Sequence, residues 1–151
     1  MKKAEWGPII WKTLHCICMK IKDEEFSNEK EELFNMIEHI CANLPCPQCA
    51  SHATGIIRRH KMRNAKSKDD LIKFIFLMHN EVNKRLKKNV YSFKHINKYE
   101  LLNTKNVLIE YYSMNTKIKY NEKMMLHSFH RTKFLQKFYH YFNQNIDKFN
   151  Q

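Results

Sequence analysis

An all-α fold is the first expectation, and three observations carry it. The 151-residue chain holds only two glycines and three prolines, too few turn formers for a sheet-rich domain of this size. Its apolar residues recur at three- and four-residue spacing, the period of helices buried on one side. Aromatic residues make up 13% of the chain, enough to build a core despite the polar average. The length suits one domain, and one-sided helices bury their stripes by packing as a bundle.

The first helix is predicted over residues 6–21, with Ile10, Trp11, Leu14, Ile17, Cys18 and Ile21 in register. Pro8 falls in its first turn, where a missing N–H costs nothing. The polar break "KDEEFSNEKEE" offers Ser27 or Asn28 as the cap of a second helix, with glutamates in its first turn. Leu33, Phe34, Ile37, Ile40, Cys41 and Leu44 share one face of that helix, and Pro45 ends it. A third helix is predicted from about residue 46 to 60. After the loop "RNAKSKDD", Ser67 caps a fourth helix with Asp70 at the reciprocal position. That helix, residues 71–87, carries Ile72, Ile75, Phe76, His79, Val82, Asn83 and Leu86 in register. "NVYSFKHINKYELLNTKNVLIEYY" reads as a turn and a fifth helix. Residues 121–151 form a basic tail with a helical stripe of Met125, Phe129, Phe134, Leu135, Phe138 and Phe142.

The net charge is +12, from 27 Lys and Arg against 15 Asp and Glu. Such an excess attracts nucleic acid, acidic partners or phosphate-bearing cofactors. The lysines are spread along the whole chain, so the charge reads first as solvated surface, without a nucleic-acid partner. No segment approaches the run of roughly 20 apolar residues that spans a membrane. "IIWKTLHCICM" is interrupted by Lys12 and His15 and lacks a small-residue cleavage site, so neither a signal peptide nor membrane insertion is expected. Five cysteines, an odd number, speak against a secreted disulfide framework.

The stretch "LPCPQCASH", residues 44–52, concentrates the chemistry. Two cysteines two residues apart, followed by a histidine, suit a redox disulfide, half a zinc site, or two buried thiols. If Cys46 opens the third helix, its sulfur lies at the positive end of the helix dipole and Cys49 one turn on. That position lowers a thiol's pKa from about 8.5 and favours thiolate exchange. A zinc site needs four ligands, for which Cys46, Cys49, His52 and His79 are the candidates, but no second C-x-x-C supports it. Elsewhere, Trp11 and His15 lie one turn apart on the first helix, and His79, Asn83 and basic residues mark "HNEVNKRLKK". Together they have the makings of a wall around a large planar ligand with a pyrophosphate.

"WGPIIWKTLH", "LPCPQCASH" and "HNEVNKRLKK", in this order, resemble the Erv/ALR family of FAD-linked sulfhydryl oxidases over about residues 6–99. The short form is most similar to versions encoded by large cytoplasmic DNA viruses. The resemblance implies a four-helix bundle plus a short fifth helix, FAD as cofactor, and a homodimer. It implies Cys49 as the flavin-proximal cysteine, whose thiolate attacks the isoalloxazine, and Cys46 as the interchange cysteine that meets substrate. Around the FAD it places Gly7, Trp11, His15, Cys49, His52, His79, Asn80, Val82, Asn83, Lys84 and Lys88, with no metal ligands. The implied reaction oxidises cysteine-containing, viral protein substrates and passes their electrons through FAD to O2, giving hydrogen peroxide. The implied location is the host cell cytoplasm, at virus factories, with the virion as a second place.

The chain also departs from the family. Residues 58–78 lack the cysteines of a structural disulfide that many members carry. The aromatic pair that the family places after the start of the fifth helix is also missing, with Tyr99 the nearest candidate. Cys16 and Cys18 in "HCIC" point to different sides of a helix and bridge poorly, so they and Cys41 are expected to be buried rather than a shuttle pair. The expected organisation is an oxidase domain at 1–115 and a basic aromatic extension at 116–151, packed on the domain or on a dimer partner. The competing reading is a zinc-stabilised basic helical module that binds nucleic acid.

Overall fold

The computed structural model describes residues 1–119 and 122–151; Asn121, where the predicted tail begins, lies outside them. The described residues are all-α, as predicted, with one isolated antiparallel bridge between Ile21 and Phe149. In chain order the helices are α1 (Lys3–Lys20), α2 (Phe26–Ala42), α3 (Pro47–Arg59), α4 (Lys68–Arg85), α5 (Thr104–Thr116) and α6 (Met125–Asn145). A 3-10 helix, Phe93–Leu101, fills most of the segment read as a turn before α5.

α1 is the central helix and packs against α2, α4, α5 and the 3-10 segment. Its C-terminal half is buried all round, from Thr13 to Lys20, which is the burial pattern of a core helix. It starts a turn earlier than expected: Glu5 accepts the Lys2 N–H at 2.6 Å, and Pro8 lies inside the helix. The carbonyl that Pro8 leaves without a donor belongs to exposed Ala4, where water can satisfy it.

α2 corrects a second expectation. Neither Ser27 nor Asn28 caps it; the helix begins at Phe26, directly after the 3-10 turn Asp23–Glu25, and has no side-chain cap. The Phe26 ring is buried, so packing draws the helix start back past the favoured cap residues. At the other end α2 stops at Ala42, before Pro45, and the Asn43 side chain donates to the His39 carbonyl at 2.8 Å. Ser67 caps α4 as predicted, accepting the Asp70 N–H at 3.1 Å, while the Asp70 carboxylate takes the Lys66 N–H at 3.0 Å.

α6 lies against α5, and its aromatic stripe enters the same hydrophobic cluster as α1 and α2. Phe138 meets Tyr111 of α5 at 4.7 Å between ring centres, and Phe134 stacks on His39 of α2 at 5.4 Å. Buried Glu29 of α2 accepts from the Tyr141 hydroxyl at 2.8 Å and from Lys148 at 2.9 Å. Burial alone would raise the Glu29 pKa, but these two donors bring it below its ordinary value. Past α6 the chain crosses the ends of α1 and α5: Lys22 donates to Lys148, and Thr104 donates to Gln151 through its N–H. Met125 and Phe129 of the predicted stripe stay exposed, because they sit on α6's outer face. Among the described residues no helix is long and apolar enough to cross a membrane.

Candidate active site

The chain between α2 and α3 decides where the two cysteines face. Cys46 takes the cap position of α3, Pro47 follows as the first helical residue, and the Cys46 sulfur accepts the Cys49 N–H at 3.2 Å. A sulfur at a helix N-terminus is stabilised as the anion by unpaired N–H groups and by the dipole. Both cysteines are free thiols and half-buried. Burial works against the Cys46 thiolate, but hydrogen bonds from Cys49 and the nearby Lys3 charge hold its pKa below the ordinary thiol value. Burial pushes Cys49 up, and the neighbouring Cys46 sulfur adds to the rise, while Lys3 opposes it. One thiol of the pair is therefore set to ionise first, and it is Cys46.

A cavity of about 660 Å³ opens beside this motif, between the N-terminal part of α1, the start of α3, the end of α4 and the 3-10 segment. That volume falls within the ordinary range for ligand sites. Cys49 is part of its wall and Cys46 is not. Of the residues singled out in the sequence, Gly7, Trp11, His52, His79, Val82, Asn83 and Lys88 also line it. Trp6, Ile10, Leu14 and Met78 add apolar surface, and Lys3, Lys12, Arg85 and Lys98 add positive charge. Lys12 is tied to Glu110 at 2.6 Å, so its charge is partly spent within the protein.

His15, Asn80 and Lys84 do not line the cavity, for different reasons. His15 is fully buried behind it, its ring stacked on Tyr99 at 4.2 Å and its Nε2 3.0 Å from His79 Nδ1. Asn80 faces the loop after α4: its amide N–H donates to the Tyr91 carbonyl at 3.0 Å and its oxygen accepts the Tyr91 N–H at 3.2 Å. Lys84 is exposed on the side of α4 away from the lining, one residue out of register with Asn83 and Lys88.

Tyr91 is the residue that sequence reasoning missed. Its phenol lies 3.0 Å from His15 Nε2 and 3.1 Å from His79 Nδ1, closing a three-membered polar cluster with the two imidazoles. The path that brings it there begins at Lys87, whose left-handed φ of 58° ends α4 and lets Lys88 donate to the Asn83 carbonyl at 2.8 Å. Asn80 then clips the returning loop to the helix. Its place in "HNEV" was a signal; nothing in the sequence marked Tyr91 as its partner. Trp11 stacks on His79 at 3.9 Å and 10°, which orders the cavity face of the cluster.

Burial and the charges around them keep both histidines neutral. Desolvation, with His79 and Lys98 adding to it, lowers His15 to about 3, and desolvation with Lys98 and Lys88 lowers His79 to about 4. His15 Nδ1 is buried without a partner. The remaining cysteines are of another kind: Cys16, Cys18 and Cys41 are at most 1% exposed. Burial raises all three, Cys41 to about 12. Among the described residues no three His, Cys, Asp or Glu side chains converge to hold a metal ion; His79, the candidate fourth zinc ligand, is engaged by Trp11, His15 and Tyr91.

The Erv1 / Alr family model matches residues 8–101, which hold the C-x-x-C, α4 and most of the cavity wall. The chain belongs to the Erv1/Alr family. It is similar to the FAD-linked sulfhydryl oxidase of African swine fever virus, with 34% identity over 102 residues, 66% of this chain and 85% of the viral protein. It is 29% identical over 89 residues to the FAD-linked sulfhydryl oxidase ERV2 of Saccharomyces cerevisiae, covering 59% of this chain and 45% of the yeast protein. The FAD-linked sulfhydryl oxidase ERV1 of rice is 25% identical over 97 residues, 64% of this chain and 50% of the plant protein. No solved structure matches the chain. The Erv1/Alr match ends in the 3-10 segment, so α5 and α6 lie beyond it.

Proposed function

We propose that this Erv1/Alr chain is a FAD-linked thiol oxidase that makes disulfides in cysteine-containing proteins through the Cys46–Cys49 pair. One observation carries the reading: the two sulfurs sit at one helix start, with Cys49 in the wall of a basic, aromatic cavity and Cys46 outside it.

The cavity fits the cofactor on its own evidence. Gly7 lies in the interior of α1, where glycine costs about 1 kcal/mol relative to alanine, and a Cβ there would meet nothing within 4 Å. The protein's own packing does not require that glycine; the open space beside it is cavity. Trp11, Val82 and Met78 supply faces for a flat ring system, and Arg85, Lys88 and Lys98 supply charge for a pyrophosphate. His15, Asn80 and Tyr91 hold the wall in shape from behind. Bound there, FAD would supply a two-electron acceptor for the Cys46–Cys49 dithiol, with O2 as terminal oxidant and hydrogen peroxide as its product.

The chain's own part is thiol exchange. A substrate thiolate attacks Cys46 of the oxidised pair, the Cys46–Cys49 bond breaks, and Cys49 leaves as a thiolate. A second substrate thiol then attacks the substrate sulfur of the mixed disulfide, which frees Cys46 and leaves the substrate oxidised. Cys46, outside the cavity wall, is the sulfur presented to substrate on the way in and, with its lowered pKa, the better leaving group on the way out. While substrate is bonded to Cys46, that sulfur carries no charge, so its upward push on Cys49 is gone and the Lys3 ammonium still favours the anion.

The same reading extends to a homodimer, to viral protein substrates in the cytoplasm of a host cell, and to an extension at 116–151 that serves the oxidase domain at 1–115. The test is direct. Purified protein should be yellow, release flavin on denaturation, and consume O2 with dithiothreitol while forming hydrogen peroxide. Colourless protein with bound zinc and affinity for oligonucleotides would reverse the conclusion.

A further inference from the structure

A second groove, of about 320 Å³, lies between the end of α2 and the first half of α6. Its walls carry His39, His127, His130, Lys133 and Lys137, and no carboxylate lines it. The spacing 127, 130, 133, 137 puts the α6 members on one helical face. Among the described residues none of the five forms an ion pair with a carboxylate; the Lys133 ammonium lies over the Phe129 ring, 5.7 Å from its centre. Phe134, stacked on His39, forms part of the lining.

The groove is fastened to the redox motif. His127 Nε2–H donates to the Leu44 carbonyl at 2.6 Å, and Leu44 precedes Cys46 by two residues. Two residues of extended chain span at most about 7 Å, so the rim of the groove is within reach of the residues flanking a substrate cysteine at Cys46. We infer that this groove binds an acidic segment flanking the reactive cysteine of the substrate protein, and so selects which thiols reach Cys46. The inference rests on the thiol-oxidase reading and adds to it the charge of the substrate. Complementary charge acts chiefly on encounter rate and choice of partner, which is where selection among thiols must occur.

The test uses the flavin-loaded full chain and two dithiol peptides that differ only in whether glutamates or lysines flank the cysteines. Oxygen uptake gives kcat/KM for each, with dithiothreitol run in parallel. At low salt the acidic peptide should be preferred by about tenfold, and added salt should reduce the preference. Lys133→Glu with Lys137→Glu, both at exposed positions, should cut the preference below about threefold or invert it, with the dithiothreitol rate kept. Lys73→Glu with Lys105→Glu, the same change of net charge elsewhere on the surface, should leave the preference intact. Equal use of the two peptides by the parent protein, or equal loss of preference in both double variants, overturns the groove. So does an oligonucleotide that binds through Lys133 and Lys137 while the peptides are used alike, which would assign the surface to nucleic acid. Failure to oxidise dithiothreitol overturns the oxidase reading as well, so the two failures are told apart.

Discussion

Five cysteines of one chain fall into two regions that treat the same side chain in opposite ways. At the mouth of the cavity, Cys46 and Cys49 start a helix, keep partial access to solvent and lie near Lys3. In the body of the bundle, Cys16, Cys18 and Cys41 are buried, Cys41 at the floor of the cavity, and burial raises their pKa values. A thiolate in the first region gains hydrogen bonds and charge; in the second it would gain almost nothing and lose its hydration. Reactivity here is a property of place. The histidines repeat the lesson, since buried His15 and half-buried His79 are held neutral while His52 lies exposed at the cavity rim.

The sharpest way to break that contrast is substitution on each side of it. Cys49→Ser should lower dithiothreitol oxidation by more than about a hundredfold, since the exchange needs both sulfurs. Cys18→Ser should leave turnover of the folded protein unchanged and instead cost about 1–3 kcal/mol of stability by burying a hydroxyl, as read by urea denaturation. Comparable losses of turnover in the two variants would dissolve the distinction.

A change of pH probes the buried side next. The unfolded chain takes up protons on His15 and His79 near their ordinary value of 6.5, whereas the folded protein resists until about 3 and 4. Stability is therefore greatest above pH 6.5 and falls as pH drops through this window, by about 1.4 kcal/mol per unit for each histidine. His15→Asn should flatten the acid side of a stability-against-pH curve; an unchanged slope would count against the neutral cluster.

The seal over the buried thiols gives a smaller effect. Tyr141→Phe removes a donor from buried Glu29 and should destabilise the contact of α6 with α2 by about 1–2 kcal/mol. Cys41 lies close to Tyr111, which packs on Phe138 of α6. Its labelling by a thiol reagent should accordingly accelerate by about tenfold through local opening, while Cys46 labels at the parental rate. Smallest is Gly7→Ala, which should raise the stability of the flavin-free chain by up to about 1 kcal/mol yet weaken flavin retention. Retention at the parental level would show that the space beside Gly7 serves no ligand.

Much of this molecule was legible in the chain. The helical periods located α1 to α4 within a few residues, and Ser67 with Asp70 named a helix start outright, because caps and amphipathic stripes are local features. The errors are local rules overridden by packing: Phe26 took α2's start away from Ser27 and Asn28, and Pro8 was absorbed into α1. At the site, spacing singled out Cys46 and Cys49 but left redox, zinc and buried-thiol readings open, and only the resemblance to the Erv/ALR family gave each cysteine a role. Lys84 sat next to lining residues in sequence but faces away from the cavity, and Tyr91 went unnoticed because only a long-range contact makes it matter. The stripe of His127, His130, Lys133 and Lys137 stood beside an aromatic stripe that drew the attention first.

By itself, the sequence determined the helical class, the order of the elements and the residue types able to exchange disulfides, since each depends on neighbours within a turn or two. Only the tertiary structure decided which sulfur lines the cavity and which lies outside it. It alone made His15, His79 and Tyr91 one cluster and set a basic groove two residues from Cys46. Those outcomes depend on burial and on distances between groups far apart in the chain, and local periodicity carries no record of either.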